Sequence, residues 1–449
     1  MEDTICAIST SLSIGAISII RVSGPKAILF VNSIFSGNLK NAKSHTIHYG
    51  HIVYKNEIID EVLVTIMKKP KTYTMEDIVE INLHGGIATT NKVLEILLEV
   101  GCRLAEPGEF TKRAFLNGRI DLIESEAINE LINAKTESKR KLCLNQIGGN
   151  LTKIINNIRE RLVKLMANIE VNNDYPEYED NLIITEKILD EQLNIIIEEI
   201  NNLKKNAKFG KIISSGINVA IIGKPNVGKS SILNHLLDEE KAIVTDIAGT
   251  TRDIVEGSIS LNGIELKLID TAGIHETSDY VEKIGVSKSI SQINNADLII
   301  LVLDGSNKLT KEDKNLLDMI SLKKYIIFIN KIDLNNNIDI NKQKYNNIVY
   351  GNTIDIDGLD GLKNKIIELF ELNEINKDMT YLSNARQISL INKASESITK
   401  ALDSLKNNIP IDMISIDLKN CYDYLGNIIG KTYNEDIINQ LFKDFCVGK

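Results

Sequence analysis

Gly223-Lys224-Pro225-Asn226-Val227-Gly228-Lys229-Ser230 follows directly on an apolar run, Ile217 to Ile222. Gly223 and Gly228 bend the backbone so that successive N–H groups face the same point, and the Lys-Ser pair opens the next helix. Strand, glycine-punctuated loop and helix are the first βα unit of a doubly wound α/β domain, in which ligands bind at the carboxyl ends of strands. Three more short apolar runs, Glu265 to Ile269, Leu298 to Leu303 and Tyr325 to Ile329, each lead into a polar motif or a helix. This alternation predicts such a domain over residues 213–376.

Three further motifs follow in order: Gly249-Thr250-Thr251-Arg252-Asp253, Asp270-Thr271-Ala272-Gly273 and Asn330-Lys331-Ile332-Asp333. Each has a separate task on one ligand. Lys229 is placed to reach β- and γ-phosphates, and Ser230 to offer its hydroxyl to Mg²⁺. Thr250 or Thr251 can complete the Mg²⁺ shell and sense the γ-phosphate. Asp270 can hold the ion through water, and Gly273 can present its N–H to the γ-phosphate. Asp333 sets base choice, because its carboxylate accepts from guanine N1–H and the 2-amino group, and adenine has neither. One motif alone is an ordinary turn; four in this order predict that GTP is bound and hydrolysed. The usual fifth motif, a Ser-Ala turn, is degraded here, and Asn352-Thr353 stand at its distance ahead of Gly358-Leu359. Ile274 occupies the place where a Ras-like switch carries the Gln that orients water. Another group must then orient the water and another cation must neutralise developing charge, with Arg252 and Glu282 in reach by sequence.

The rest of the chain bounds the remaining possibilities. Its 449 residues exceed one core and suggest about three domains. A net charge of −9 argues against non-specific coating of nucleic acid, although a local basic patch would still suit RNA. No uninterrupted apolar stretch approaches membrane-spanning length, and the start of the chain lacks a signal-peptide pattern. Cys6, Cys102, Cys143, Cys421 and Cys446 are scattered, with neither zinc nor disulfide spacing, as suits a reducing cytosol. Residues 1–118 mix β-like runs (Ala16 to Val22, Glu61 to Met67, Ile78 to Leu83) with a helical stretch, Thr89 to Val100, and predict an α+β domain. In 119–212 the period becomes helical, with one face at Leu151, Ile154, Ile155, Ile158, Leu162, Leu165, Met166 and Ile169. After a break at Asp174 to Asp180 a second face runs through Ile188, Leu189, Leu193, Ile196, Ile197, Ile200 and Leu203. Residues 377–449 are helical again, so the economical arrangement packs the two helical segments together around an inserted nucleotide domain.

Several stretches outside that domain resemble the MnmE (TrmE) family of tRNA-modification GTPases. They include Ile19-Ile-Arg21-Val-Ser-Gly24, Tyr73 to Gly86, Leu104 to Thr111, Arg113 to Leu122 and Phe445-Cys446-Val-Gly-Lys449. The resemblance implies a multidomain α+β and α/β chain. Its parts would be an N-terminal folate-binding and dimerisation domain, a discontinuous all-α helical domain, and an inserted Ras-like doubly wound α/β GTPase domain. It implies a cytoplasmic homodimer that works with the flavoprotein MnmG (GidA), which carries FAD. Together they would act on C5 of the wobble uridine of certain tRNAs, with a tetrahydrofolate derivative, 5-formyl or 5,10-methylene, as one-carbon donor. No membrane association is expected. The GTP contacts it implies are Asn226, Val227, Gly228, Lys229, Ser230 and Ser231; Thr245, Asp246, Ile247, Ala248, Gly249, Thr250 and Thr251; Asp270, Thr271, Ala272 and Gly273; and Asn330, Lys331 and Asp333. Ser230 and Thr251 would ligate Mg²⁺. Asn226, through its side chain, and the carbonyls of Thr245, Ile247 and Thr250 would ligate K⁺, whose charge would stand in for an arginine finger. Glu282 would orient water in place of the missing Gln, with Lys229 and Cys446 the other catalytic candidates. Arg21, Glu80, Arg119 and Lys449 would hold folate, basic groups meeting its carboxylates and a carboxylate meeting the pterin N–H edge.

The chain departs from the family pattern at Ser11 to Ala16, at Arg119 where Lys is common, at Gln387 where a His is expected, and at Ile213-Ser-Ser-Gly216. His45, His48 and His51 alternate along a strand-like stretch without a carboxylate or Cys at ligand spacing, so no metal is expected there. Two readings compete with the tRNA-modifying one: a ribosome-assembly GTPase, and a nucleotide-switched scaffold without chemistry of its own. The flanking segments carry no GXXG-centred RNA-binding unit, and the intact Lys229, Ser230, Thr251 and Asp270 argue against a scaffold.

Overall fold

Residues 3–174, 186–239, 255–269, 295–334, 337–341, 343–355, 357–375, 379–431, 435–443, 445 and 448 are described by a computed structural model. In chain order the elements begin with β1 (Ile5–Ile8), β2 (Ile17–Ser23), α1 (Ala27–Ile34), β3 (Thr46–Tyr54), β4 (Glu57–Met67), β5 (Ile78–His84), α2 (Ile87–Glu99) and β6 (Arg103–Leu104). Helices α3 (Glu109–Leu116), α4 (Leu122–Ile132), α5 (Glu137–Ile147), α6 (Asn150–Asp174) and α7 (Glu186–Ser215) follow. Next come β7 (Ile217–Ile222), α8 (Lys229–Glu239), β8 (Val255–Leu261), β9 (Ile264–Ile269), β10 (Leu298–Asp304), α9 (Lys311–Met319), β11 (Tyr325–Asn330) and β12 (Ile348–Tyr350). The chain closes with α10 (Asp360–Leu369), α11 (Ala385–Lys406), α12 (Ile411–Ile429) and α13 (Glu435–Phe442). Two units form: Met1–Ile132, Gln146–Ile183 and Ile409–Lys449 make one, Asn133–Asn145 and Ile184–Asn408 the other.

In the first unit the sheet order is β3-β4-β5-β2-β1-β6, antiparallel except for the short β1–β6 pair. Period-2 alternation sends Ile20, Val22, Val62, Val64, Ile66, Val79 and Ile81 to one face, where α1 and α2 cover them with Val31, Ile34, Val93 and Ile96. Helix α6 packs on α12. Its buried stripe is Leu151, Ile155, Ile158, Leu162, Leu165 and Ile169, whereas Ile154, expected on that face, is 37% exposed.

The second unit holds a sheet in the order β12-β11-β10-β7-β9-β8, parallel except for β8. Its strands are apolar on both faces, as a sheet covered twice requires. Val219, Leu266, Ile300 and Val302 face α8 and α10, while Ala220, Ile299, Leu301 and Ile327 face Leu317 of α9. β7 lies between β10 and β9, so the loop leaving it opens where the strand order reverses, the usual ligand crevice of such sheets. α7 packs on α11, burying Leu189, Leu193, Ile196, Ile200 and Leu203. Ile188, expected among them, is 39% exposed. Each long helix ahead of the nucleotide motifs is thus covered by one that follows them.

Candidate nucleotide and N-terminal sites

The loop between β7 and α8 is shaped by positions that only certain residues tolerate. Gly223 has φ +149°, and a Cβ there would lie 2.5 Å from the Val302 carbonyl oxygen. Asn226 is left-handed at φ +64°. Gly228 has φ +101°, and a Cβ there would meet Asn330 Nδ2 at 2.1 Å. Helix α8 starts at the next residue, so its unpaired N-terminal amides and positive dipole end face the loop. Ser230 and Ser231 stand in its first turn. Lys229 Nζ donates to the carbonyls of Gly223 and Lys224, 2.7 Å each. Burial holds its pKa below the ordinary lysine value, which a polyphosphate would reverse.

The base-side motif closes on the same loop. Asn330, at the end of β11, is 1% exposed and its Nδ2 donates to the Val227 carbonyl at 2.8 Å. Its Oδ1 is buried without a hydrogen-bond partner. Lys331, left-handed at φ +63°, donates from Nζ to the Asn226 carbonyl at 2.8 Å and to Asp304 Oδ2 at 2.7 Å. Burial would raise the Asp304 carboxyl, but Lys331 and the Ser306 donors outweigh it and hold it below the carboxylate range. Asp333 is exposed, free to meet a base. At the place of the degraded fifth motif, Asn352 Oδ1 accepts from the backbone of Ile354 and Asp355, at 3.0 and 2.8 Å, and Ile332 N–H reaches the Gly351 carbonyl at 3.5 Å. Two glycines that admit no side chain, the helix N-terminus behind them and the unpartnered Asn330 oxygen beside them fit a guanine nucleotide.

Thr245, Asp246, Ile247, Ala248, Gly249, Thr250, Thr251 and Arg252 lie outside the described residues, as do Asp270, Thr271, Ala272, Gly273, Glu282, Cys446 and Lys449. Among the described residues there is no group of three or more His, Cys, Asp or Glu side chains able to hold a metal. Cys6, Cys102, Cys143 and Cys421 are buried, and burial pushes the Cys421 thiol up to about 12.

In the first unit three of the expected folate residues converge. Arg21 and Glu80 are cross-strand partners on β2 and β5. Arg21 Nε donates to Glu80 Oε1 at 2.9 Å, and Nη2 lies 2.8 Å from the same oxygen. The Arg21 guanidinium sits 5.4 Å from the Tyr73 ring centre and 5.7 Å from that of Phe110. Arg119 stacks on Tyr73 at 4.8 Å and donates to the Tyr73 carbonyl at 3.1 Å. The Gly448 carbonyl accepts from Ser9 Oγ at 3.1 Å and from Arg21 Nη1 at 3.5 Å, which brings Gly448 to this cluster. Tyr73, not singled out from sequence, is the ring on which both arginines rest.

Helix α3 backs that ring through Tyr73 Oη and Thr111 Oγ1, 2.9 Å apart. The helix is fixed by an ionic network that sequence reading also missed. Arg113 is fully buried and bonds Glu109 at 2.9 Å, Asp3 at 2.8 Å and Glu76 at 3.2 Å. Arg103 bridges Glu109 and Asp3. Burial would raise the Glu109 carboxyl, yet Arg103, the Glu106 amide and Arg113 hold it low.

The family model for the MnmE helical domain matches residues 122–446, and that for the GTP-binding protein TrmE N-terminus matches residues 4–119. The chain belongs to the MnmE family of tRNA modification GTPases. It is 50% identical over 455 residues to the tRNA modification GTPase MnmE of Bacillus mycoides strain KBAB4, covering 100% of this chain and 99% of that one. To the protein of the same name from Enterococcus faecalis strain ATCC 700802 / V583 it is 48% identical over 457 residues, covering 100% and 98%. The match extends through both units, so the MnmE likeness is not confined to the nucleotide loop. Among the described residues no helix is long and apolar enough to cross a membrane.

Proposed function

We propose that this chain is a K⁺-dependent GTP hydrolase which, as a cytoplasmic homodimer with the flavoprotein MnmG, installs the aminomethyl or carboxymethylaminomethyl group on wobble uridine of certain tRNAs. The observation that carries the reading is the loop held by Asn330 and Lys331 in a chain of the MnmE family. Lys229 Nζ spends two of its three N–H donors on the Gly223 and Lys224 carbonyls and would turn the third to the β- and γ-phosphates. The amides at the start of α8 receive the same charge, and Asp333 selects guanine. Ser230 and Thr251 would hold Mg²⁺; Asn226 with the carbonyls of Thr245, Ile247 and Thr250 would hold K⁺. These ions supply positive charge where the transferred phosphoryl group accumulates negative charge. Glu282 would orient water where Ile274 cannot. Arg21, Glu80, Arg119 and Lys449 would bind the tetrahydrofolate derivative, and Cys446, in the same Phe445-Cys446-Val-Gly-Lys449 stretch as Lys449, is the remaining catalytic candidate. The functional divisions are 1–118 for folate and dimerisation, 119–212 with 377–449 for the helical domain, and 213–376 for GTP.

GTP hydrolysis measured in K⁺ and in Na⁺ at matched ionic strength tests the ion. Equal rates refute K⁺ dependence. Mass spectrometry of wobble uridine from a strain lacking the protein tests the tRNA role, and an unchanged modification profile refutes it.

A further inference from the structure

We propose that Lys224, the second residue of the phosphate loop, is a positioning residue that props the loop open for GTP through a strut to helix α9. The inference rests on the GTP reading above and adds a residue that touches no phosphate.

Lys224 Nζ lies 2.8 Å from Asp313 Oδ2 and 3.0 Å from Thr310 Oγ1. Thr310 caps α9, and the Thr310 amide and hydroxyl donate to the same Asp313 oxygen at 2.8 and 2.7 Å. The Asp313 side chain is 5% exposed, and its Oδ1 has no hydrogen-bond partner. Lys224 is therefore the cation on which this buried carboxylate depends, and losing it leaves an uncompensated charge. Between loop and helix lies a cavity of about 240 Å³, lined by Lys224, Val227, Asp304, Asn307, Thr310 and Asp313 among others. Packing of Leu317 on the sheet seats α9 as a whole, and across the cavity the Lys224 bridge ties the loop to the start of that helix.

The strut matters because the Lys224 carbonyl is one of the two that hold Lys229 Nζ. A fixed residue 224 keeps that carbonyl directed at Lys229 and keeps the loop amides converged before the nucleotide arrives. Without it the loop must order on binding, a cost that appears as lost affinity.

The full-length protein is titrated with a fluorescent GTP analogue, and steady-state GTP hydrolysis is measured in parallel. Lys224→Met and Asp313→Asn should each weaken nucleotide affinity about tenfold. The loss should fall mainly in KM rather than kcat. The double variant should be no weaker than either single, because both break one strut. Lys224→Arg should restore affinity. Asp313→Asn is decisive, since it keeps the lysine charge and releases it toward the phosphates. If charge alone mattered, Asp313→Asn would bind GTP as tightly as wild type or tighter, and that result overturns the proposal. Multiplicative losses in the double variant overturn it too. Melting of the nucleotide-free variants separates folding from binding: a variant that melts early but binds normally while folded counts against the strut. Failure of the wild-type protein to bind the analogue would refute the GTP reading instead.

Discussion

Gly228→Ala tests the nucleotide loop at its tightest point. The backbone at φ +101° disfavours any L side chain, and the new methyl would lie 2.1 Å from Asn330 Nδ2. Left-handed backbone costs a residue with a Cβ about 1–2 kcal/mol. Displacing the Asn330 amide breaks its bond to the Val227 carbonyl, which adds about 1 kcal/mol. Whatever strain the free variant relaxes must be restored when the nucleotide binds, so the full cost is the ceiling on lost affinity. A total of about 2–3 kcal/mol is roughly a 30- to 150-fold rise in Kd. Equilibrium titration with a fluorescent guanine nucleotide measures it, with thermal unfolding of the free protein alongside. Gly118→Ala is the control: φ is +75°, but nothing lies within 4 Å of its Cβ, so it should lower stability slightly and leave nucleotide affinity alone. A Gly228→Ala protein that binds within threefold of wild type would refute the claim that Gly228 and Asn330 together shape the cradle.

Three further outcomes are expected. Tyr73→Ala removes the ring under Arg21 and Arg119 and should weaken binding of 5-formyltetrahydrofolate about tenfold in equilibrium dialysis, while Tyr73→Phe, which keeps the ring, should bind nearly as wild type. Arg113→Met leaves Glu109 and Glu76 without their shared cation and should cost about 3–5 kcal/mol in denaturant unfolding followed by circular dichroism. The hydrogen bond and charge of Asp60 raise the His84 pKa above 6.5. The stabilisation is therefore complete below that value and disappears as pH climbs through the raised pKa. Wild type should melt above His84→Gln at about pH 5.5 and match it at about pH 9, and a difference that grows with pH would refute the pairing.

What could be read from sequence was local. The Gly223 to Ser230 loop, its strand and its helix are contiguous, and their residue types constrain the backbone directly. The same holds for Asn330 at the end of β11. Strand β8 escaped because Val255-Glu-Gly-Ser-Ile-Ser-Leu261 alternates weakly around Gly257, although the turn after it carried a usable signal. Asn262 and Gly263 have φ +50° and +78°, the Asn-Gly pair of a two-residue hairpin. Strand β1 has only four residues, too few for a period.

The remaining features are invisible for a different reason: they are made by side chains far apart in sequence. Arg113 can be buried only because Asp3, Glu76 and Glu109 arrive from a terminus, a loop and a helix. By composition each is a surface charge. The structure turns them into the mount for α3, whose Thr111 and Phe110 support Tyr73 and Arg21. Lys224 follows the same rule. It reads as a variable loop position until Thr310 and Asp313 meet it across the cavity. In both sites the residues expected to touch ligand were legible from motif, and the ionic pairs that aim them were not. A motif records what the ligand demands of a few adjacent residues; their aim is set by the desolvation of charges that only the folded chain brings together.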